Sequence, residues 1–201
     1  MNLKNLTTIG IIILLAVVIF NWILPPHQEI SWLKPGTYAK YDVYNVFFVQ
    51  DHYVDEYKIL SVSHNKVVIK HNWLRNETLY VDIESRKLLK AITDGQNITN
   101  LFIRPPFKSY YYYFWIPTDL SIGDTIKLYE CKGDGEEYRI VNISSVKVNG
   151  YEREAYVLKA EFGNNRWTGW YDRQTGLFLR WKHEYKDEVW YESNLIETNI
   201  F

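Results

Sequence analysis

Apolar residues fall along this chain in two different rhythms. From Leu6 to Leu24 they run almost unbroken (LTTIGIIILLAVVIFNWIL) with no ionisable side chain, long enough for a helix to cross a bilayer. A dozen Ile, Leu, Val and Phe residues between Ile9 and Leu24 favour insertion by about 5 kcal/mol. Pro25 and Pro26 stop that helix, and Trp22 lies one turn before the stop, where an indole suits the headgroup layer. From Thr37 onward the period shortens to two. Tyr156, Leu158, Ala160 and Phe162 share one face against Lys159 and Glu161, and Leu177, Leu179 and Trp181 share one against Arg180, Lys182 and Glu184, the alternation of half-buried antiparallel strands.

Turn residues punctuate these runs at Ser63-His64-Asn65, Arg75-Asn76, Asp94-Gly95, Gly133-Asp134-Gly135, Asn149-Gly150, Gly163-Asn164-Asn165 and Gln174-Thr175-Gly176, at the spacing of a meander. A weak repeat runs through them. Leu33–Tyr41 can be laid on Ser121–Tyr129 with a one-residue shift, Glu56–Leu60 on Glu137–Val141, and Leu79–Lys90 on Gly169–Arg180. The expected fold is therefore all-β and antiparallel, in two related β-meander halves forming a curved sheet or a sandwich, preceded by one N-terminal transmembrane helix. The expected segments are 1–5 cytoplasmic, 6–24 spanning, 25–36 a juxtamembrane lead and 37–201 an extracytoplasmic β domain, with halves at about 37–103 and 120–201. Asp82 and Asp172 enter tight turns, where a carboxylate accepts backbone N–H bonds.

Charge and composition narrow the choices. Lys4 is a weak positive-inside signal that puts the N-terminus inside and the domain outside a cell membrane, crossed once. The run is longer than a cleaved signal peptide needs, and no small-x-small site follows it. A net charge of −1 argues against a nucleic-acid partner. The single cysteine, Cys131, excludes an internal disulfide and reads as a small residue on a strand.

Lys34-Pro-Gly-Thr-Tyr, Trp115-Ile-Pro, Leu120-Ser-Ile-Gly-Asp-Thr and Trp170-Tyr-Asp-Arg-Gln-Thr-Gly-Leu-Phe-Leu resemble phrases of uncharacterised single-span archaeal surface proteins. That resemblance implies an anchored β domain on the outer face of an archaeal cell and brings no catalytic residue. The strand pattern also resembles the curved half-barrel of lipoprotein-carrier proteins, whose concave sheet holds acyl chains.

Chemistry is sparse. His52, His64 and His71 lie on early strands or turns without helical metal-ligand spacing, and His27 and His183 are remote from them in sequence. Asp134, Glu136 and Glu137 crowd a glycine turn without the length of a calcium loop. No nucleophile elbow, P-loop or dinucleotide fingerprint occurs. No metal, cofactor or catalytic residue is expected. Asn76, Asn97 and Asn142 head N-x-Ser/Thr sequons in the outer domain, and Asn5 heads one on the inner side. The candidate binding face is the run Tyr110, Tyr111, Tyr112, Tyr113, Phe114, Trp115. Six consecutive rings cannot all face one core, so either Tyr111, Tyr113 and Trp115 or Tyr110, Tyr112 and Phe114 are expected to meet solvent or a partner. The expected function is that of a non-enzymatic envelope or membrane-complex subunit docking onto another protein. A lipid- or glycan-binding module is the alternative, and an anchored hydrolase the remote one.

Overall fold

The computed structural model describes residues 30–46, 52–73, 75–102, 109–130 and 135–201. The Leu6–Leu24 span and Cys131 lie outside the described residues. Among the described residues no helix is long and apolar enough to cross a membrane. In chain order the elements are β1 (Tyr38–Asn45), β2 (His52–Ser63), β3 (Lys66–Asn72), β4 (Asn76–Asp82), β5 (Leu88–Thr93), β6 (Gln96–Asn97), α1 (Thr99–Phe102), β7 (Ser109–Tyr110), β8 (Thr125–Glu130), β9 (Gly135–Val148), β10 (Tyr151–Phe162), β11 (Asn165–Asp172), β12 (Phe178–Tyr185) and β13 (Glu188–Thr198). All thirteen strands join one sheet in the order β6-β5-β4-β3-β2-β1-β13-β12-β11-β10-β9-β8-β7. The choice between curved sheet and sandwich is thus settled in favour of one continuous sheet.

Period-two burial selects its inner face. Ala39, Tyr41 and Val43 of β1, Tyr57 and Ile59 of β2, and Val67 and Ile69 of β3 are all buried to within 1% exposure. Two-residue turns such as Asp94-Gly95 and Asn149-Gly150 take positive φ at both positions, the backbone twist that hairpins need. Trp32 and Leu33, placed by the sequence in a lead segment, are buried parts of the domain.

The two meanders share one internal geometry. Gly36 N–H and Ile59 N–H bond Ile59 and Thr37 carbonyls, and Gly123 N–H and Ile140 N–H bond Ile140 and Asp124 carbonyls in the same pattern. β2 bulges at Leu60 as β9 does at Val141, and β5 bulges at Leu89 as β12 does at Leu179. Asp82 Oδ1 accepts from the N–H and hydroxyl of Ser85, while Asp172 Oδ1 accepts from the N–H and hydroxyl of Thr175. Both aspartates are the turn anchors expected. The bulge at Leu179 corrects the face assignment on β12. Phe178 pairs with Tyr171 and Trp181 with Gly169, so Phe178 joins Trp181 on the inner face, while the unpaired Leu179 at the bulge is buried as well.

The aromatic run ties the repeats together. Tyr111 N–H bonds the Leu128 carbonyl at 2.9 Å, Tyr112 N–H the Arg86 carbonyl at 2.6 Å and Ile116 N–H the Gly176 carbonyl at 3.0 Å. Arg86 and Gly176 hold equivalent places in the two repeats and both have positive φ, 58° and 73°. At Gly176 a Cβ would overlap the Ile116 carbonyl oxygen, so only glycine admits the run there. The buried Arg86 guanidinium donates to the Trp115 and Lys127 carbonyls at 3.4 and 3.2 Å, and burial lowers its pKa.

Candidate functional site

Neither alternate set of the run forms an exposed face. Tyr112, Phe114, Trp115 and Ile116 are at most 2% exposed, and Tyr110, Tyr111 and Tyr113 are half-buried. Rings avoid the alternation rule because the segment leaves β7 after Tyr110 and crosses the inner face as irregular chain. Phe114 stacks on Tyr57 with centroids 4.8 Å apart and accepts the Phe178 N–H at its carbonyl, so it belongs to the cores of both repeats.

Beyond that core the inner face opens into a cavity of about 400 Å³. Its walls come from matching ends of the strands and from the run: Asp55, His71 and Glu77 in the first repeat, Trp167, Trp181 and His183 in the second, and Tyr110, Tyr112 and Tyr113 from the run. Register explains the polar wall. The β3–β4 hairpin sets His71 opposite Glu77, and β2–β3 pairing sets Tyr57 opposite His71, so the three side chains form one cross-strand row. Asp55 lies two residues along β2 on the same face.

Hydrogen bonds close this row into a network. His71 Nε2 lies 2.6 Å from Asp55 Oδ1, and Nδ1 3.2 Å from Glu77 Oε2. Burial pushes the His71 pKa down, but the charge and hydrogen bonds of Asp55 and then Glu77 outweigh it and carry the pKa up to about 9. His71 is therefore an imidazolium at neutral pH, donating through both nitrogens. Its ring stacks on Tyr57 at 4.4 Å and 9°, which favours the cation further. Arg75 Nε forms an ion pair with Glu77 Oε1 at 2.9 Å. Tyr57 donates its hydroxyl proton to Asp55 Oδ2 at 2.9 Å. Tyr113 must then be the donor in its 2.7 Å contact with the Tyr57 oxygen. Burial, with Asp55 nearby, holds the Tyr57 and Tyr112 pKa values well above the ordinary tyrosine value, so both remain phenols.

The aromatic wall is equally fixed. Trp167 stacks on His183 at 4.9 Å and 11°, and His183 Nε2 bonds Asn165 Oδ1 at 2.9 Å. Burial lowers the His183 pKa, so this histidine is neutral. Trp181 lies over Gly169, where a Cβ would approach its ring to 2.7 Å; the missing side chain makes room for the indole.

The two walls mark where the repeats diverge. Ile59 pairs with Ile69 as Ile140 pairs with Leu158, which aligns His71 with Ala160 and Glu77 with Trp167. A buried acid–histidine pair in one repeat is thus replaced by a small residue and an indole in the other.

The sequence alone marks His71 only as a packed or solvated strand histidine and does not single out Asp55 or Glu77. The readable signal is the turn after Asn72: a hairpin pairing Asn72 with Asn76 places His71 against Glu77. Among the described residues no group of three or more His, Cys, Asp or Glu is arranged to hold a metal ion. Asn76, Asn97 and Asn142 are all exposed, on β4, β6 and β9. Asn97 Oδ1 accepts from the Thr99 N–H and hydroxyl at 3.0 and 2.6 Å.

No protein-family model and no curated protein sequence matches the chain. Solved structures similar to it include the hypothetical lipoprotein YmcC from Escherichia coli (K12), at 10% identity and a TM-score of 0.39, covering 86% of this chain and 90% of that one. PNGF-II is similar at 9% identity and a TM-score of 0.38, over 82% of this chain and 27% of that one.

Proposed function

We propose that the chain acts by binding a small ligand in the inner-face cavity, with the Leu6–Leu24 stretch tethering the domain to a membrane. The observation that carries this reading is the cavity itself. At about 400 Å³ it has the size of small-molecule pockets, and it combines aromatic walls with a few convergent polar groups. Docking of another protein through the aromatic run is disfavoured, because Tyr112, Phe114 and Trp115 are buried and Tyr110, Tyr111 and Tyr113 are half-buried. His71 is not available as a general base, since both its nitrogens are engaged by carboxylates.

Native mass spectrometry of the full chain purified from its host in mild detergent tests the reading. A small molecule bound one to one, and lost from a folded Trp167→Ala variant, is the expected result. A stoichiometric protein partner without any small molecule would contradict it.

A further inference from the structure

We infer that the ligand is a neutral saccharide, hydrogen-bonded by Asp55 and stacked on the Trp167 and Trp181 indoles; this rests on the cavity being the binding site. Asp55 lines the cavity, and each of its oxygens keeps acceptor capacity beyond the bonds to His71 and Tyr57, so a ligand hydroxyl can donate to it.

Charge selects a neutral ligand. The Asp55 and Glu77 carboxylates are balanced by the His71 imidazolium and by Arg75, so an added cation or anion would enter a site that is already compensated. Shape selects a flat one. Trp167 is held by His183, and Trp181 lies on the bare backbone of Gly169; rigid indoles of this kind offer apolar faces to the C–H faces of a sugar ring. An acyl chain calls for aliphatic walls, and only Leu79, Leu88 and Leu128 supply them here. The divergence between the repeats points the same way. His71 and Glu77 in the first repeat hold Asp55 in the polar wall, and Trp167 in the second supplies the stacking surface at the place matching Glu77.

Calorimetric titration of the full chain in detergent with cellobiose, maltose, lactose and chitobiose, and separately with palmitate, tests the inference. At least one disaccharide should saturate at one per chain. Trp167→Ala should weaken it about tenfold, the worth of one stacked aromatic face, in a variant that still unfolds cooperatively. Failure of every disaccharide to saturate the wild-type chain, or an unchanged affinity in Trp167→Ala, overturns the saccharide. Saturation by palmitate alone, lost in Trp167→Ala, overturns the saccharide and keeps the cavity reading. If neither class saturates and the mass-spectrometric ligand survives Trp167→Ala, both fall.

Discussion

His71 is charged because β2 and β4 present carboxylates to its two nitrogens, and that charge sets the protein's dependence on pH. In the native state the imidazole titrates at about 9, against about 6.5 in an unfolded chain. Between those values the folded protein holds a proton that the unfolded chain has released. Its contribution to stability is full below about pH 6.5 and is lost as pH rises toward 9, by about 3 kcal/mol in all. Guanidinium unfolding at about pH 6 and pH 9.5 reads this loss, and a His71→Gln variant should remove most of it. A wild-type curve that stays flat across this window would mean that the imidazole is neutral in the fold. Truncation at the same position tests the carboxylates. His71→Ala leaves Asp55 and Glu77 buried without their shared cation and should cost about 3–5 kcal/mol, measured by urea unfolding at neutral pH. A cost below about 1 kcal/mol would mean that the ion pairs of His71 with Asp55 and Glu77 do not support the fold.

At the scale of elements, the turns at Arg86 and Gly176 are where the run is held. Both are left-handed, and both offer a carbonyl to the run, but only Gly176 is approached so closely that a Cβ has no room. Gly150 also has positive φ, with nothing within 4 Å of where a Cβ would stand. Gly150→Ala should therefore cost only the left-handed strain, about 1–2 kcal/mol, whereas Gly176→Ala should cost at least about 3 kcal/mol by adding the clash. Equal costs in urea unfolding would show that the run is not tightly seated on the second hairpin. These elements also show what is legible in the chain. Strands and glycine turns can be read because period-two alternation and positive φ leave a mark in residue type. The Lys186-Asp187 turn cannot, since both residues take positive φ without glycine or asparagine. The bulges at Leu60, Leu89 and Leu179 cannot either, because an inserted residue shifts the face of a strand without altering its composition. The polar wall is hidden for a related reason: Asp55, His71 and Glu77 meet only once the register of three strands is known.

For the whole molecule, one irregular segment joins two meanders of matched register. Phe114 packs on Tyr57 from the first repeat, and its carbonyl accepts the Phe178 N–H from the second, so the halves share a core. Phe114→Ala should lower the stability of the whole domain by about 3–5 kcal/mol and keep a single cooperative transition by far- and near-ultraviolet circular dichroism. Two separated transitions would mean that the repeats fold independently. The divergence of those repeats at His71, Glu77 and Trp167 is what turns a shared core into a cavity with two unlike walls. The claim that a small ligand binds between those walls is tested most directly by the assigned indole N–H signals of the domain, followed by NMR as each disaccharide or palmitate is added. Signals of Trp73, Trp167 and Trp181, which line the cavity, should shift together while that of Trp170, which lies under Arg180, stays in place. A shift confined to Trp170 as a ligand saturates, with Trp73, Trp167 and Trp181 unmoved, would contradict it.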